Sequence, residues 1–317
     1  PFPLTLMSVT TATMVRRWSF RLAWGLLALI LLTLLALLSW EPFFAEQPGA
    51  PPPVRAYRAE ITRDEWGVPH IHGHTDPDVT FGVAWAHAED DFSTLQDVLA
   101  MTRCRYGAIS GPDGAATDYV CHLFAPRDLV RRTYGQLPAD TRALLDAYAS
   151  GLNLYAKRHP REIKLARLFP VNGEDIATGF ALRLPFFSGV DRMLKALVEG
   201  APHPVEPGPR LMGNPPIPLS QGGGDVEGSP AVLPGGEDGS NAFAIAPKRS
   251  GDGVTRLVSN THQPWRGGVA WYEMEIRSDQ GWHFAGATFP GSPLPFLGHN
   301  EVLGWTNTIN RPDLADV

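Results

Sequence analysis

Residues 239–246 read GSNAFAIA. A glycine precedes a serine, and an apolar run follows through Ala242, Phe243, Ala244, Ile245 and Ala246. Such a run predicts a largely buried strand, here over 241–247. Upstream, residues 200–239 are dominated by Gly and Pro and carry no hydrophobic period. That composition predicts a flexible or removable connector. Downstream, strand patterns continue to Val317. Ser240 therefore stands where a connector meets the first strand of a sheet. A cut before it would make it a new N-terminus.

The strand-rich part runs over 240–317. Its opening predicts a hairpin, with a turn at Lys248–Gly253 and a return strand through Thr255, Leu257 and Val258. The return brings Asn260, Thr261 and His262 back towards Ser240. VAWYEMEIRS, GWHFAGATF and EVLGWTNTI predict further strands between Gly-rich turns.

Residues 55–199 open on a strand pattern, RAYRAEITRDEWGVPHIHGH, with a turn at Gly67-Val68-Pro69. Helices follow. In the first, Asp76 or Asp78 caps the start, and Phe81, Trp85, Ala88, Phe92, Leu95 and Leu99 fall at helical spacing. Within it His87, Glu89, Asp90 and Asp91 form an acid/base cluster or, more simply, a solvated face. Leu144, Leu145, Tyr148, Leu152 and Tyr155 stripe a second helix that Pro160 ends. A third starts at Gly173 and Glu174, and DRMLKALVEG predicts a fourth. The segment reads as a helical subdomain wrapped around something else. His70, His72 and His74 alternate, so on a strand they share one face, where they could bind zinc.

The net charge is −6, with no basic block, which argues against a nucleic-acid partner. Residues 22–40, LAWGLLALILLTLLALLSW, carry no charge and follow Arg16, Arg17 and Arg21. That length suits a membrane span with a cytoplasmic N-terminus, so the rest of the chain is expected outside. A cleaved signal segment is the alternative. PGAPPP, residues 48–53, then acts as a stiff spacer. Residues 1–13 read as upstream read-through before Met14, and 14–54 as anchor and spacer. In an exported chain Cys104 and Cys121 could pair across the polar stretch GAISGPDGAATDY; two free thiols are the alternative.

Five stretches in register carry a resemblance. GSNAFAIA, LVSNTHQPW and GATFPGSPLPFLGHNEVLGWTNT, with RDEWGVPHIHG and FGVAWAHAEDDFSTLQ near the front, resemble the penicillin acylase family of N-terminal-nucleophile amidohydrolases. The resemblance covers roughly 60–317 and implies an α+β fold, an αββα sandwich of two antiparallel sheets covered by helices, truncated at the C-terminus. It implies a periplasmic or exported precursor, anchored in the inner membrane, that cuts itself between Gly239 and Ser240. Residues 200–239 are then lost, leaving an α/β heterodimer with Ser240 opening the β chain. It further implies His262 beside the nucleophile's amine and the Ile309 backbone N–H as an oxyanion donor. A second donor, an asparagine, would lie beyond Val317. No cofactor is expected for catalysis. Asp313, Asp316 and Glu174 match the ligands of a structural calcium, although the ungapped match of the last falls on Asn172. The substrate implied is a small N-acyl amide with an apolar acyl group, for which Phe186, Phe187, Phe289, Pro295 and Phe296 are pocket candidates. Two readings compete: a catalytically incomplete, membrane-tethered binding or scaffold homologue, and a metal-dependent hydrolase built on His70, His72 and His74.

Overall fold

The computed structural model describes residues 7–187 and 240–308. Two compact units divide the chain, 1–47 and 48–317. The first is a helix, α1 (Met7–Phe44). Its stretch Met14–Leu38 is long and apolar enough to cross a membrane, and none of it is buried within the protein.

The second unit opens on β1 (Ala59–Arg63) and β2 (Pro69–Gly73), joined through Asp64–Val68 with Gly67 at φ +84°. A side chain at that φ would be strained, so glycine suits the turn. Alternation sends Ile71 and Gly73 inward and leaves His70 and His72 on the outer face. Helix α2 (Asp76–Thr102) follows directly. Its cap is Thr75, not Asp76 or Asp78. Thr75 adopts extended backbone and its hydroxyl accepts from Asp78 N–H, while Asp78 accepts in return from Thr75 N–H at 3.1 Å. This reciprocal pair is a capping box, in which Asp78 takes the third helical position.

Short helices α3 (Gly107–Ser110) and α4 (Pro112–Phe124) cover the polar stretch between the two cysteines, and α5 (Pro126–Thr133) follows. Pro112 at the first turn and the alanines after it favour helix there. Cys104 and Cys121 are joined in a disulfide across it. Helices α6 (Ala139–Arg158) and α7 (Gly173–Phe187) complete the layer. Asn172 caps α7: its Oδ1 accepts from Asp175 N–H at 3.1 Å, and Asp175 accepts from Asn172 N–H at 3.0 Å. Residues 191–200, read as a fourth helix, lie outside the described residues.

Beyond residue 240 come β3 (Ser240–Ile245), β4 (Arg256–Thr261), β5 (Tyr272–Ser278), β6 (His283–Thr288), β7 (Leu297–His299) and β8 (Gly304–Trp305). Among the described residues, β1-β2-β5-β6-β7-β8 form one sheet and β3-β4 a separate hairpin. The sheet is mixed, because β2 and β5 run parallel, Ile71 against Ile276. The helical segment thus supplies two strands to the sheet rather than merely enclosing it.

Helix α2 packs on the sheet's inner face, and α6 and α7 pack against α2 behind it. Ile71, Met274 and Ile276 meet Leu95, Leu99, Tyr148 and Leu152 in one core. Each such aliphatic side chain contributes about 1.5–3 kcal/mol by leaving water. Close approach needs glycine at two points. A Cβ on Gly82 would lie 2.6 Å from Ile71 Cγ2, and one on Gly151 would lie 2.6 Å from the Phe81 carbonyl oxygen. Arg103 locks α2 to α7 from within. All five of its N–H donors are used, on Asp175 and on the carbonyls of Arg167, Leu168 and Pro170.

One strand departs from its pattern. β3 is exposed along most of its length, with Phe243 at 59%. An apolar run specifies burial only where another layer covers it, and among the described residues none lies over this hairpin.

Candidate active site around Ser240

The hairpin places the predicted site residues. Ser240 opens β3 opposite Thr261, the last residue of β4. His262 follows immediately, so the register carries it to the start of β3. Its Nε2 lies 3.3 Å from the side-chain amide nitrogens of both Asn241 and Asn260. The turn of the hairpin is held by Asp252, which accepts from Arg256 and sits well below the usual carboxylate range for that reason.

The segment that leads to Ile309 lies alongside. Thr306 and Ser259 hydroxyls meet at 2.6 Å. Trp305 Nε1 and Asn307 Nδ2 both donate to the Phe296 carbonyl, at 3.0 and 2.7 Å. Gly239, Ile309, Asp313 and Asp316 themselves lie outside the described residues. Glu174 stands half-buried in the first turn of α7. Asn172, its ungapped alternative as a calcium ligand, spends its side-chain oxygen on the cap and donates Nδ2 to the Ala50 carbonyl. That second bond also draws the Pro-rich spacer onto the body of the unit.

His70 and His72 share the outer face of β2, as their alternation predicts, and His74 lies just past its end; carboxylates divide the three. His70 pairs with Asp64 and Glu275; His72 and His74 both pair with Asp279. Those two bonds, His74 first, hold the Asp279 carboxyl below its ordinary range. Among the described residues no group of three His, Cys, Asp or Glu side chains could hold a metal ion.

The helix cluster at 87–91 splits between two roles. Glu89 and Asp90 form the solvated face, paired with Arg63. His87 does not belong to it. It is 2% exposed and stacked on Tyr272, and burial pushes its imidazole down to about 4. Asp91 breaks the helical backbone at φ −152°, ψ 62°, and its Oδ1 caps the second half of α2 through Thr94 N–H at 3.0 Å. This kink, which helical periodicity alone does not reveal, turns His87, Asp91 and Thr94 towards a cavity of about 330 Å³. Trp265, Arg266 and Trp271 form its other side. Trp271 donates its indole N–H to Thr261 Oγ1 at 2.5 Å. Of the acyl-pocket candidates, Phe289 and Phe296 gather with Trp271 in one aromatic cluster. The side chains of Phe186 and Phe187 lie outside the described residues.

The penicillin amidase family model matches residues 58–317. The chain belongs to the penicillin amidase family. Among curated relatives, acyl-homoserine lactone acylase PvdQ of Pseudomonas fluorescens is 27% identical over 265 residues, 80% of this chain and 33% of its own length. Aculeacin-A acylase of Actinoplanes utahensis is 26% identical over 279 residues, 80% of this chain and 34% of its own. The chain thus spans about a third of the length of the curated relatives it matches. Of solved structures, a thermostable penicillin G acylase from Alcaligenes faecalis aligns at TM-score 0.37 and 16% identity, over 51% of this chain and all of that one. For this penicillin amidase family member the described fold is α+β, with helices layered on one face of a mixed sheet.

Proposed function

We propose that this chain is part of a self-processing amidohydrolase whose nucleophile is Ser240. The observation that carries the reading is the β3–β4 register, which sets Ser240 opposite Thr261 and brings His262 beside it. A serine hydroxyl needs a base to react. Cleavage after Gly239 would supply one, because a free α-amine titrates near pH 7.7–8 and sits on the nucleophile's own residue. The hydroxyl attacks the amide carbonyl, the amine departs with a proton, and water hydrolyses the resulting ester to release the acid. In self-cleavage the same hydroxyl attacks the Gly239 carbonyl. The Ile309 N–H serves as one donor to the tetrahedral oxyanion. His262, held by Asn241 and Asn260, positions the freed amine.

The same proposal includes the αββα sandwich, export by way of α1, loss of 200–239 and a two-chain product. It also includes a structural calcium at Glu174, Asp313 and Asp316, which would appear as a lower melting temperature after chelation. The substrate class is a small molecule bearing an N-acyl amide, as the names of the acylase relatives suggest.

Expression of the gene product at its full natural length tests the reading. Two chains are expected, the second beginning Ser-Asn-Ala-Phe, with hydrolysis of penicillin G, acyl-homoserine lactones or acyl p-nitroanilides. A single chain that stays uncut in wild type and in Ser240→Ala alike overturns it.

A further inference from the structure

The outward face of α4 is apolar, where a surface helix ordinarily turns polar residues to water. Pro112, Ala115, Ala116, Tyr119 and Leu123 follow one another along it at helical spacing, all exposed, and Phe124 ends it. The inward face holds Gly114, Thr117 and the disulfide-bonded Cys121. Beside them, half-buried Asp118 accepts from the N–H groups of Tyr106 and Gly107, both at 2.7 Å. The disulfide and these polar contacts fix α4, so its large apolar side chains are left outside. Leu129 of α5 continues the patch. Its N–H donates to the carbonyl of Ala125, the single residue between the two helices, at 3.3 Å. Tyr119, Leu123, Phe124 and Leu129 are 66%, 54%, 42% and 50% exposed. Large apolar side chains gathered in this way mark a surface that meets a partner.

Charge and position say which partner. Arg131 and Arg132 are exposed just beyond Leu129, with Asp128 pairing Arg131 at 3.7 Å. The exposed carboxylate of α4, Asp113, stands at the helix's far end. Leucine and aromatic side chains beside arginines suit a bilayer surface, where hydrocarbon lies beneath anionic phosphates. The patch also shares a corner of the protein with the Pro-rich spacer. Arg127, in the first turn of α5, lies 3.8 Å from Asp175. Asp175 accepts from Asn172 N–H, and Asn172 in turn donates to the Ala50 carbonyl of the spacer at 3.3 Å. Residues 45–47 alone separate that spacer from the end of α1, and three residues extend about 10 Å at most.

We propose that the α4–α5 patch rests on the surface of the membrane that α1 crosses. Tyr119, Leu123, Phe124 and Leu129 enter the headgroup region, and Arg131 and Arg132 meet the phosphates of anionic phospholipid. The body of the protein is then held against the bilayer rather than swinging on a tether. The inference rests on the reading of α1 as a membrane span and is independent of Ser240.

The test uses the protein at its full natural length, reconstituted in vesicles of phosphatidylcholine and phosphatidylglycerol. A polarity-sensitive fluorophore is attached in the Tyr119→Cys variant and, as a control, in Arg161→Cys, an exposed position just after α6. Cys104 and Cys121 are paired and do not compete for the label. Lipids carrying a nitroxide at headgroup depth are expected to quench the first label and spare the second. Arg132→Gln should lower the ratio of docked to free patch about fivefold, the worth of one cation near an anionic surface. Vesicles of phosphatidylcholine alone should lower it further. A label at 119 that stays in water overturns the docking, as does equal quenching of both labels. A label at 119 that is shielded but not quenched also overturns it and assigns the patch to protein, a later segment of the natural chain or a second copy. Release of the unlabelled protein from vesicles by alkaline carbonate overturns the reading of α1, and the docking with it.

Discussion

The imidazole of His87 lies flat against the Tyr272 ring, 3.8 Å between centroids and 5° between planes. Burial holds this histidine neutral, with its pKa lowered to about 4; Asp91 and Asp90 act against that shift and Arg183 with it. In the unfolded chain the same group titrates near 6.5. Between those values the unfolded chain binds more protons, so stability is complete above about pH 6.5 and falls as pH drops towards 4. The loss is on the order of 3 kcal/mol. His87→Phe keeps the stack and removes the titration. Denaturant unfolding at pH 7 and pH 4.5 should show a smaller difference for the variant than for wild type.

Cys121 is fully buried, and its bond to Cys104 closes a loop over a separation of 17 residues. Replacing both cysteines by alanine should cost about 3 kcal/mol, chiefly through the greater freedom of the unfolded chain. The denaturant midpoint reports it, and reducing agent should lower the wild-type midpoint but not that of the variant.

Asp175 and Arg103 are each 3% exposed and form a two-pronged pair. Asp175→Ala strands a buried guanidinium and removes half of the α7 cap. A loss of about 3–5 kcal/mol is expected. Arg103→Met with Asp175→Leu should recover part of it, and a double-mutant cycle by thermal melts measures how much.

Trp271→Phe deletes the N–H that holds Thr261 while keeping an aromatic ring beside Phe289. If Trp271 positions the hairpin, kcat falls more than KM rises, and the melting temperature changes by little. Equal changes in kcat and KM with a much lower melting temperature would assign it to packing alone. Loss of one buried hydrogen bond, about 1 kcal/mol, sets the scale at roughly fivefold.

Sequence periodicity revealed the elements that are amphipathic and local. The stripe of Tyr148, Leu152 and Tyr155, and the β1–β2 turn at Gly67, follow from spacing and turn chemistry alone. The hairpin that carries His262 back to Ser240 was legible for the same reason. The exposure of Phe243 was not, because a pattern records what a residue prefers and not what covers it. Nor could spacing identify the histidine beside the cavity. His87 shortly precedes three acidic residues in sequence, yet Glu89 and Asp90 pair with Arg63 on the outside while Asp91, at the break, lines the cavity with it. Thr75, Asp76 and Asp78 are all good caps by residue type, and backbone geometry decides among them.

The parallel ladder between β2 and β5 joins stretches some two hundred positions apart; His72 and Asp279, which flank it, are separated by 207 residues. Any cut at Ser240 falls between those two strands in the chain but not in the sheet. Severing the polypeptide there would leave both pieces sharing one backbone hydrogen-bond lattice and one core. Neither piece could leave without unzipping a central strand pair. The chain must also bring its ends together before that ladder can form, a slow and entropically costly closure that is easiest while the two parts are still covalently one. Maturation would then be irreversible in an architectural sense: the intact precursor assembles the sheet, and the severed pair inherits an arrangement it would struggle to rebuild.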